Sequence, residues 1–174
     1  LKSRNLLLKE RHTDEEQVAA YTALLVEHGE VIQSVRQRLV EELALPVAHA
    51  QEGLGASEDR GGLAYKGSGV GRLAESFEEV RSKERLQGKS LVGPQRDDFV
   101  LTLNGRSAAD FGSEGQQRTM ALALKLGQGR LLEQKRGSAP VYLIDDVFGE
   151  LDPTRRNALM RYLPQNSQQL ITTT

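Results

Sequence analysis

The amino-acid sequence predicts an α/β fold with parallel strands and an added α-helical part. The second half of the 174-residue chain alternates strand and helix patterns, an order typical of a parallel sheet. The apolar residues 141–144 lead directly into Asp145 and Asp146, as in strands that end at the ligand-binding edge of such a sheet. The first half carries a heptad pattern of apolar residues, which favours a long helix.

The composition predicts a globular cytoplasmic protein. Hydrophobic residues make up 38% of the chain and charged residues 27%, and no apolar run is as long as a membrane span, so we expect no membrane contact. Because the chain contains no cysteine, it has neither disulfides nor thiolate metal sites, which fits a reducing compartment. The net charge of −1 leaves any contact with nucleic acid to a local patch or to an assembly.

The start of the chain predicts two helices. Residues 1–12 have a helical composition, and Thr13 and Glu16 have the spacing of a capping box that begins a second helix. Pro46 is expected to end that helix. Along it, apolar residues recur in steps of three and four, which predicts a packing seam of Val18, Tyr21, Leu25, His28, Ile32, Val35 and Leu39.

Glycines mark the next segment. Their density between about residues 53 and 71 is typical of a loop or a ragged hairpin. An amphipathic helix is predicted over residues 73–87, with Gly88 as its C-terminal stop. The letters "GKS" at this stop look like the end of a phosphate-binding loop. Lys83 stands where such a loop needs its first glycine, so we interpret them as a turn.

The second half predicts the sheet and its connections. Asn104 and Gly105 separate two alternating apolar runs and predict a tight hairpin, because both residues tolerate positive φ. The remaining elements are expected to be a helix over residues 114–135, the strand 141–144, a helix from the N-cap Asp152 through Pro153 to about Tyr162, and a last strand in "QQLITTT".

The two acids after the strand have the form of a Walker B element. In that interpretation Asp145 holds magnesium, and Asp146 orients or deprotonates an attacking water. The alternative is that two acids simply end a strand.

The segment "FGSEGQQR" is a second candidate site. Ser113 and Gln116 have the spacing of a capping box, which explains both residues structurally. That explanation does not need Gly115, since a glycine in the first turn costs about 1 kcal/mol relative to alanine. A hydroxyl, bare amides and the positive end of a helix dipole together make a surface that suits phosphate.

Several motifs in order resemble one family. "GPQRDD", "FGSEGQQRTMALALKL", "PVYLIDDVFGELDPTRR" and "QLITTT" look like the C-terminal half of RecF, DNA-repair ATPases related to SMC proteins and ATP-binding cassettes, and "LKSRNLLLK" resembles the start of that family's helical lobe. The resemblance implies a partial P-loop NTPase lobe of the ATP-binding-cassette type. Residues 1–90 would form the helical lobe with a glycine-rich loop at about 53–71, and residues 91–174 the C-terminal part of the ATPase lobe.

The resemblance also implies roles for the candidate residues. Ser113, Gly115 and Gln116 match the signature motif, which faces the γ-phosphate of ATP bound by the opposite subunit. Asp145 and Asp146 match Walker B. Residues 149–152 match the D-loop, whose Asp152 lies at the dimer interface, and a switch residue is expected among Thr172, Thr173 and Thr174.

The chain departs from the family pattern at three positions. Glu114 stands where the family usually has glutamine, Gln95 replaces a histidine, and Gly149 replaces the usual serine of the D-loop. Asp146 is also shorter than the glutamate of most cassette relatives, so we expect slow hydrolysis. The charges of Arg96, Asp97 and Asp98 predict a local ion-pair network or a link between nucleotide and helical lobe.

By this resemblance the whole protein would dimerise on ATP with Mg²⁺, bind DNA at gaps or single-strand/double-strand junctions, and help RecO and RecR load RecA in recombination and the SOS response. The Walker A segment is expected outside this chain, which alone would be inactive. Two alternatives remain. One is a metal-dependent phosphoesterase that uses Asp97 and Asp98 with the Walker B acids, and the other is a non-catalytic SMC-like scaffold.

Overall fold

The computed structural model describes residues 1–10, 12, 14–54, 59–145 and 151–172. Its helices are α1 (Lys2–Leu7), α2 (Glu15–Gly53), α3 (Leu73–Gln87), α4 (Ala108–Phe111), α5 (Glu114–Arg136) and α6 (Pro153–Tyr162). Its strands are β1 (Gly61–Lys66), β2 (Asp98–Leu103), β3 (Arg106–Ser107), β4 (Tyr142–Ile144) and β5 (Gln169–Ile171), and a 3₁₀ turn covers Pro94–Arg96. The predicted α/β class is confirmed.

The chain divides into two compact units. The first contains residues 1–39 and 65–99, and the second contains residues 40–64 and 100–174. The predicted division after residue 90 differs from this one, because residues 40–64 lie in the second unit and residues 91–99 in the first. In the described residues no helix has the length and apolar character that a membrane span needs.

The first unit packs α3 onto a small apolar core. Leu73, Phe77 and Val92 are buried together. Helix α3 has the predicted bounds and ends at Gly88 with a φ of 60°, the left-handed conformation that favours glycine. The "GKS" segment is therefore a helix stop, as predicted. Its Ser90 is buried, where its backbone N–H and its hydroxyl both donate to the side-chain oxygen of Asn5, each at 2.8 Å.

Helix α2 begins after Asp14, whose carboxylate accepts the Gln17 backbone N–H at 3.0 Å. The predicted cap Thr13 lies outside the described residues. The predicted heptad spacing is present on this helix, but most of the predicted seam is wrong. Only Val18 of the seam is buried, whereas the side chains at positions 21, 28, 32, 35 and 39 are exposed.

The buried side of α2 includes glycine and polar residues, which a search for apolar residues does not find. Gly29 lies so close to Leu73 that an added Cβ would come within 2.7 Å of its Cδ2 atom. Gln33 is buried and donates to Asp97 at 3.0 Å, and Arg36 donates to the Pro94 carbonyl at 2.6 Å. In the first unit α2 packs through the side that carries Gly29, Gln33 and Arg36. The buried side of the helix is therefore rotated away from the predicted apolar seam.

The expectation that Pro46 ends α2 is wrong. The helix spans 39 residues and continues through Pro46 to Gly53. A proline inside a helix costs about 3 kcal/mol or more. Val47 and Ala50 beyond it are fully buried in the core of the second unit. Burying such side chains returns a free energy of similar size, so the helix persists.

Within the glycine-rich segment, residues 61–66 form strand β1. The three strands lie in the order β1-β2-β3. A Cβ on Gly62 would come within 2.6 Å of the Thr102 hydroxyl, so glycine permits this close approach. The predicted hairpin is confirmed. Asn104 and Gly105 have φ angles of 51° and 77° between antiparallel β2 and β3.

The second unit holds the parallel pair β4 and β5. Tyr142, Leu143 and Ile144 pair with Gln169, Leu170 and Ile171. The core of this unit joins residues from α2, α5 and α6 and includes Val47, Met120, Ala123, Leu126 and Leu159. The pairing places the C-terminal ends of both strands at one edge, which is where open parallel sheets bind ligands.

Helix α5 approaches α2 closely because of a glycine. A Cβ added to Gly127 would lie 2.9 Å from the backbone nitrogen of Val47 and 3.1 Å from the carbonyl carbon of Pro46. Backbone atoms cannot rotate away as a side chain does. The close contact between α5 and α2 therefore depends on position 127 having no side chain.

We expect Gly127→Ala to lower the free energy of unfolding by about 1–3 kcal/mol, because the methyl group overpacks this contact. Alanine favours a helix by about 1 kcal/mol over glycine, so local propensity alone predicts the opposite sign. Urea unfolding of the full-length protein measures the change. Lys125→Ala, at an exposed position of the same helix, is the control, and equal stability of both variants would show that the helices can separate without loss.

Candidate nucleotide-binding site

The start of α5 carries the predicted capping box. The Ser113 hydroxyl accepts the Gln116 backbone N–H at 3.3 Å, and the Gln116 side-chain oxygen accepts the Ser113 backbone N–H at 2.8 Å. Both residues are therefore held in place by the helix terminus itself. The first turn of α5 presents its remaining amides at the positive end of a helix of 23 residues.

Gly115 makes room for a cation. A Cβ at this position would lie 3.0 Å from the Nη1 atom of Arg155, so the guanidinium group rests against the bare first turn of α5. Asp152 orients that guanidinium group, since it caps α6 by accepting the Arg155 backbone N–H at 2.9 Å and pairs with Nη1 at 3.0 Å. The backbone hydrogen bond holds the pKa of Asp152 below its usual range.

The negative charge of Glu114 is paired with a cation on the same helix. Its carboxylate accepts from Arg118 one turn later, at 2.6 Å, and its side chain is largely exposed. The surface at Ser113 and Gly115 therefore offers the hydroxyl of Ser113, the amides of the first turn and the guanidinium group of Arg155. This set of donors suits an anion with several oxygens, such as a polyphosphate.

Asp145 lies at the C-terminal edge of the parallel pair, directly after β4. Its carboxylate accepts a hydrogen bond from the hydroxyl of Thr172, which follows β5. The Thr172 backbone N–H donates to the Ile144 carbonyl at 3.0 Å and so continues the pairing. Of the three threonines considered for the switch position, Thr172 therefore lies beside the Walker B candidate, whereas Thr173 and Thr174 lie outside the described residues.

Two other predicted positions, Asp146 and Gly149, also lie outside the described residues. Among the residues that the structure describes, no three metal-ligating side chains form a cluster. Asp145 supplies a carboxylate of the kind that Mg²⁺ prefers, at the sheet edge where nucleotides bind.

Two residues that contact the start of α5 were not identified from the sequence. One is Arg155, whose proximity to Gly115 follows only from the packing of α6 beside α5. The other is Asp59, whose carboxylate accepts the Gln116 side-chain N–H at 2.7 Å. Gly115 was the sequence signal for Arg155, because it indicated that some group approaches the helix there, whereas the sequence carried no signal for Asp59.

Asp97 is part of a local network in the first unit. Its buried carboxylate accepts hydrogen bonds from the side chain of Gln33, the backbone N–H of Ser68 and the hydroxyl of Tyr65. Burial, followed by this hydrogen bond and the negative charge of Asp97, raises the pKa of Tyr65 to about 12. Arg96 donates to the Ser90 carbonyl at 2.9 Å. These hydrogen bonds give Arg96 and Asp97 local partners, whereas a link between nucleotide and helical lobe stays a prediction.

The chain is similar to known proteins in both fold and sequence. No family model matched the chain. The fold, with its parallel strands ending on a carboxylate, is that of part of an ATP-binding-cassette ATPase. It superposes on a solved structure described as the recombination mediator protein RecF-ATP in the RecFOR pathway, with a TM-score of 0.83 and 29% identity over 100% of this chain and 50% of that chain.

Curated relatives agree with this class. The chain is 36% identical over 190 residues to the DNA replication and repair protein RecF of Acaryochloris marina, covering 100% of the chain and 51% of that protein. It is 39% identical over 185 residues to the same protein of Symbiobacterium thermophilum, covering 98% and 49%. The chain belongs to the RecF family. It spans about half the length of the relatives it matches and corresponds to their C-terminal half.

Proposed function

We propose that the full-length protein binds ATP between two subunits and hydrolyses it slowly. In this proposal Ser113, Gly115 and Gln116 face the γ-phosphate of the nucleotide held by the other subunit, and Asp152 lies at the interface. The observation that carries the proposal is the bare first turn at Gly115, with a capping hydroxyl on one side and the Arg155 guanidinium group 3.0 Å from the Cβ position. A purely structural cap needs neither the glycine nor the cation.

The chain's own residues would act on the phosphates in distinct ways. Bound ATP with Mg²⁺ would supply the phosphoanhydride and the charge compensation for its cleavage. Asp145 would hold the metal from the sheet edge, with Thr172 bonded to its carboxylate. Asp146 would orient the attacking water and accept its proton. Arg155 and the N–H groups of α5 would stabilise charge on the phosphate oxygens.

We further propose that this dimer acts in the cytoplasm on DNA at gaps and single-strand/double-strand junctions, together with RecO and RecR, and so promotes loading of RecA. The names of the relatives and of the solved RecF structures support the coarser part of this proposal, a role in DNA replication and repair and in the RecFOR pathway. The phosphoesterase alternative is less favoured, because the Asp97 carboxylate is buried and already accepts several hydrogen bonds. A non-catalytic scaffold is also less favoured, because it does not explain why the Arg155 guanidinium group lies beside Gly115.

Asp146→Asn tests the catalytic assignment in the full-length protein. The substitution keeps the size of the side chain and removes the charge that acts on water, so we expect hydrolysis to fall at least ten-fold while ATP affinity changes little. The ATP-bound dimer should persist longer. Steady-state hydrolysis and equilibrium ATP binding measure the two effects. Equal losses in affinity and turnover would show that Asp146 supports the metal instead.

We expect the 174-residue chain not to hydrolyse ATP by itself, because its sequence contains no G-x-x-x-x-G-K-S/T phosphate loop. Turnover by the purified chain that Asp145→Ala abolishes would contradict the proposal.

A further inference from the structure

A cavity of about 370 Å³ opens beside the start of α5 in the second unit. Its walls include Asp59, Asn104, Arg106, Phe111 and Gln116. The volume lies within the range of small-molecule sites, which typically combine an apolar surface with a few placed polar groups. The cavity lies next to the signature residues Ser113, Gly115 and Gln116, of which Gln116 lines it.

Phe111 gives the cavity an exposed aromatic face. Its side chain is 71% exposed, and the Arg106 guanidinium carbon lies 5.9 Å from the ring centroid. The backbone that carries the ring is held firmly. The Gly112 N–H donates to the Ala108 carbonyl at 3.0 Å, and the Gly112 carbonyl accepts from the Gln117 side chain at 3.0 Å. These bonds hold the backbone next to Phe111 in place, which reduces the backbone entropy lost when a ligand stacks on the ring.

The polar wall of the cavity is a carboxylate. Asp59 accepts one hydrogen bond from Gln116 at 2.7 Å and one from Asn104 at 3.1 Å. A carboxylate offers about four lone-pair positions, so capacity for a further donor remains. The negative charge disfavours a phosphate in this cavity and favours a neutral group with N–H donors. A planar ring with N–H groups, stacked beside a guanidinium group, is the chemistry of a nucleobase.

We propose that this cavity is a nucleobase site. The base stacks on Phe111 beside Arg106, and its amino or ring N–H donates to the Asp59 carboxylate. The base belongs either to the ATP whose γ-phosphate faces Ser113, in which case the inference rests on the proposed function, or to a DNA strand. Gln116 connects the two sites, because its side chain bonds both Asp59 and the backbone of Ser113.

The test compares Phe111→Ala and Phe111→Trp with wild type in the full-length protein. Phe99→Ala, which removes a half-exposed phenylalanine of the first unit, is the control, and melting temperatures report folding. Dimerisation is measured by sedimentation with a slowly hydrolysed ATP analogue, and binding of single-stranded oligonucleotide is measured without nucleotide. Loss of one stacked base should weaken the affected equilibrium about ten-fold in Phe111→Ala, whereas Phe111→Trp should keep it.

The two measurements, dimerisation and oligonucleotide binding, show whether the base comes from ATP or from DNA. Weaker dimerisation alone assigns the site to ATP, and weaker oligonucleotide binding alone assigns it to DNA. Unchanged behaviour in both arms, or equal losses in Phe99→Ala, would overturn the proposal.

Fluorescence measures base binding directly and does not depend on dimerisation. The emission that Phe111→Trp adds to that of the wild-type protein reports this position, because the two proteins differ only there. Adenosine monophosphate should quench that added emission. If wild type fails to dimerise on ATP but the quenching occurs, the proposed function fails and the nucleobase site stands; absence of quenching rejects the site.

Discussion

Replacing Ser113 by aspartate is expected to abolish ATP-dependent dimerisation of the full-length protein without unfolding it. Aspartate caps helices about as well as serine, and its charge suits the N-terminal end of the helix dipole. The Ser113 hydroxyl accepts the Gln116 N–H at 3.3 Å, a bond that a carboxylate also makes. The cap should therefore survive. A carboxylate facing the γ-phosphate of the opposite subunit, however, sets a negative charge against a polyanion.

The matched control is Ser113→Asn, which has the shape of aspartate, caps equally well and carries no charge. Sedimentation with a slowly hydrolysed ATP analogue should show dimers for the asparagine variant and monomers for the aspartate variant. Melting temperatures without nucleotide should be nearly equal for wild type and both variants. If the aspartate variant dimerises normally, Ser113 is only a helix cap and the signature role is wrong.

Replacing Arg4 by methionine is expected to destabilise the fold by about 3–5 kcal/mol, because it leaves a buried carboxylate without its partner. The side chains of Arg4 and Glu84 are 3% and 1% exposed, and their charged atoms lie 2.6 Å apart. Arg4 also donates to Ser90 at 2.7 Å and to Thr22 at 2.8 Å. The Glu84 carboxylate accepts the Leu91 backbone N–H at 2.6 Å, so both charges are fully engaged.

Two comparisons make this prediction specific. Arg4→Met combined with Glu84→Gln should recover much of the loss, because no charge stays buried and the glutamine oxygen still accepts from Leu91. Arg72→Met breaks an exposed ion pair with Glu79 and should cost less than about 1 kcal/mol. Urea unfolding measures all three. A loss for Arg4→Met no larger than that for Arg72→Met would show that water reaches Glu84 after the substitution.

Most of the candidate site follows from local patterns. The S-x-x-Q spacing predicts the reciprocal bonds of Ser113 and Gln116, and the apolar strand followed by Asp145 predicts a carboxylate at the sheet edge. These features depend on residues within a few positions of one another, so the chain encodes them locally. The groups that complete the site, Arg155 beside Gly115 and Asp59 beside Gln116, come from distant parts of the chain.

The sequence by itself determined which segments are helix, hairpin and parallel strand in the second half, because capping residues, Asn104-Gly105 and apolar runs act over short distances. Only the tertiary structure decided which face of α2 is buried and where that helix ends. Gln33 is buried because Asp97, far along the chain, accepts its hydrogen bonds. The helix passes Pro46 because Val47 enters the core of the second unit. In both cases a partner absent from the local pattern supplies the free energy that outweighs local propensity.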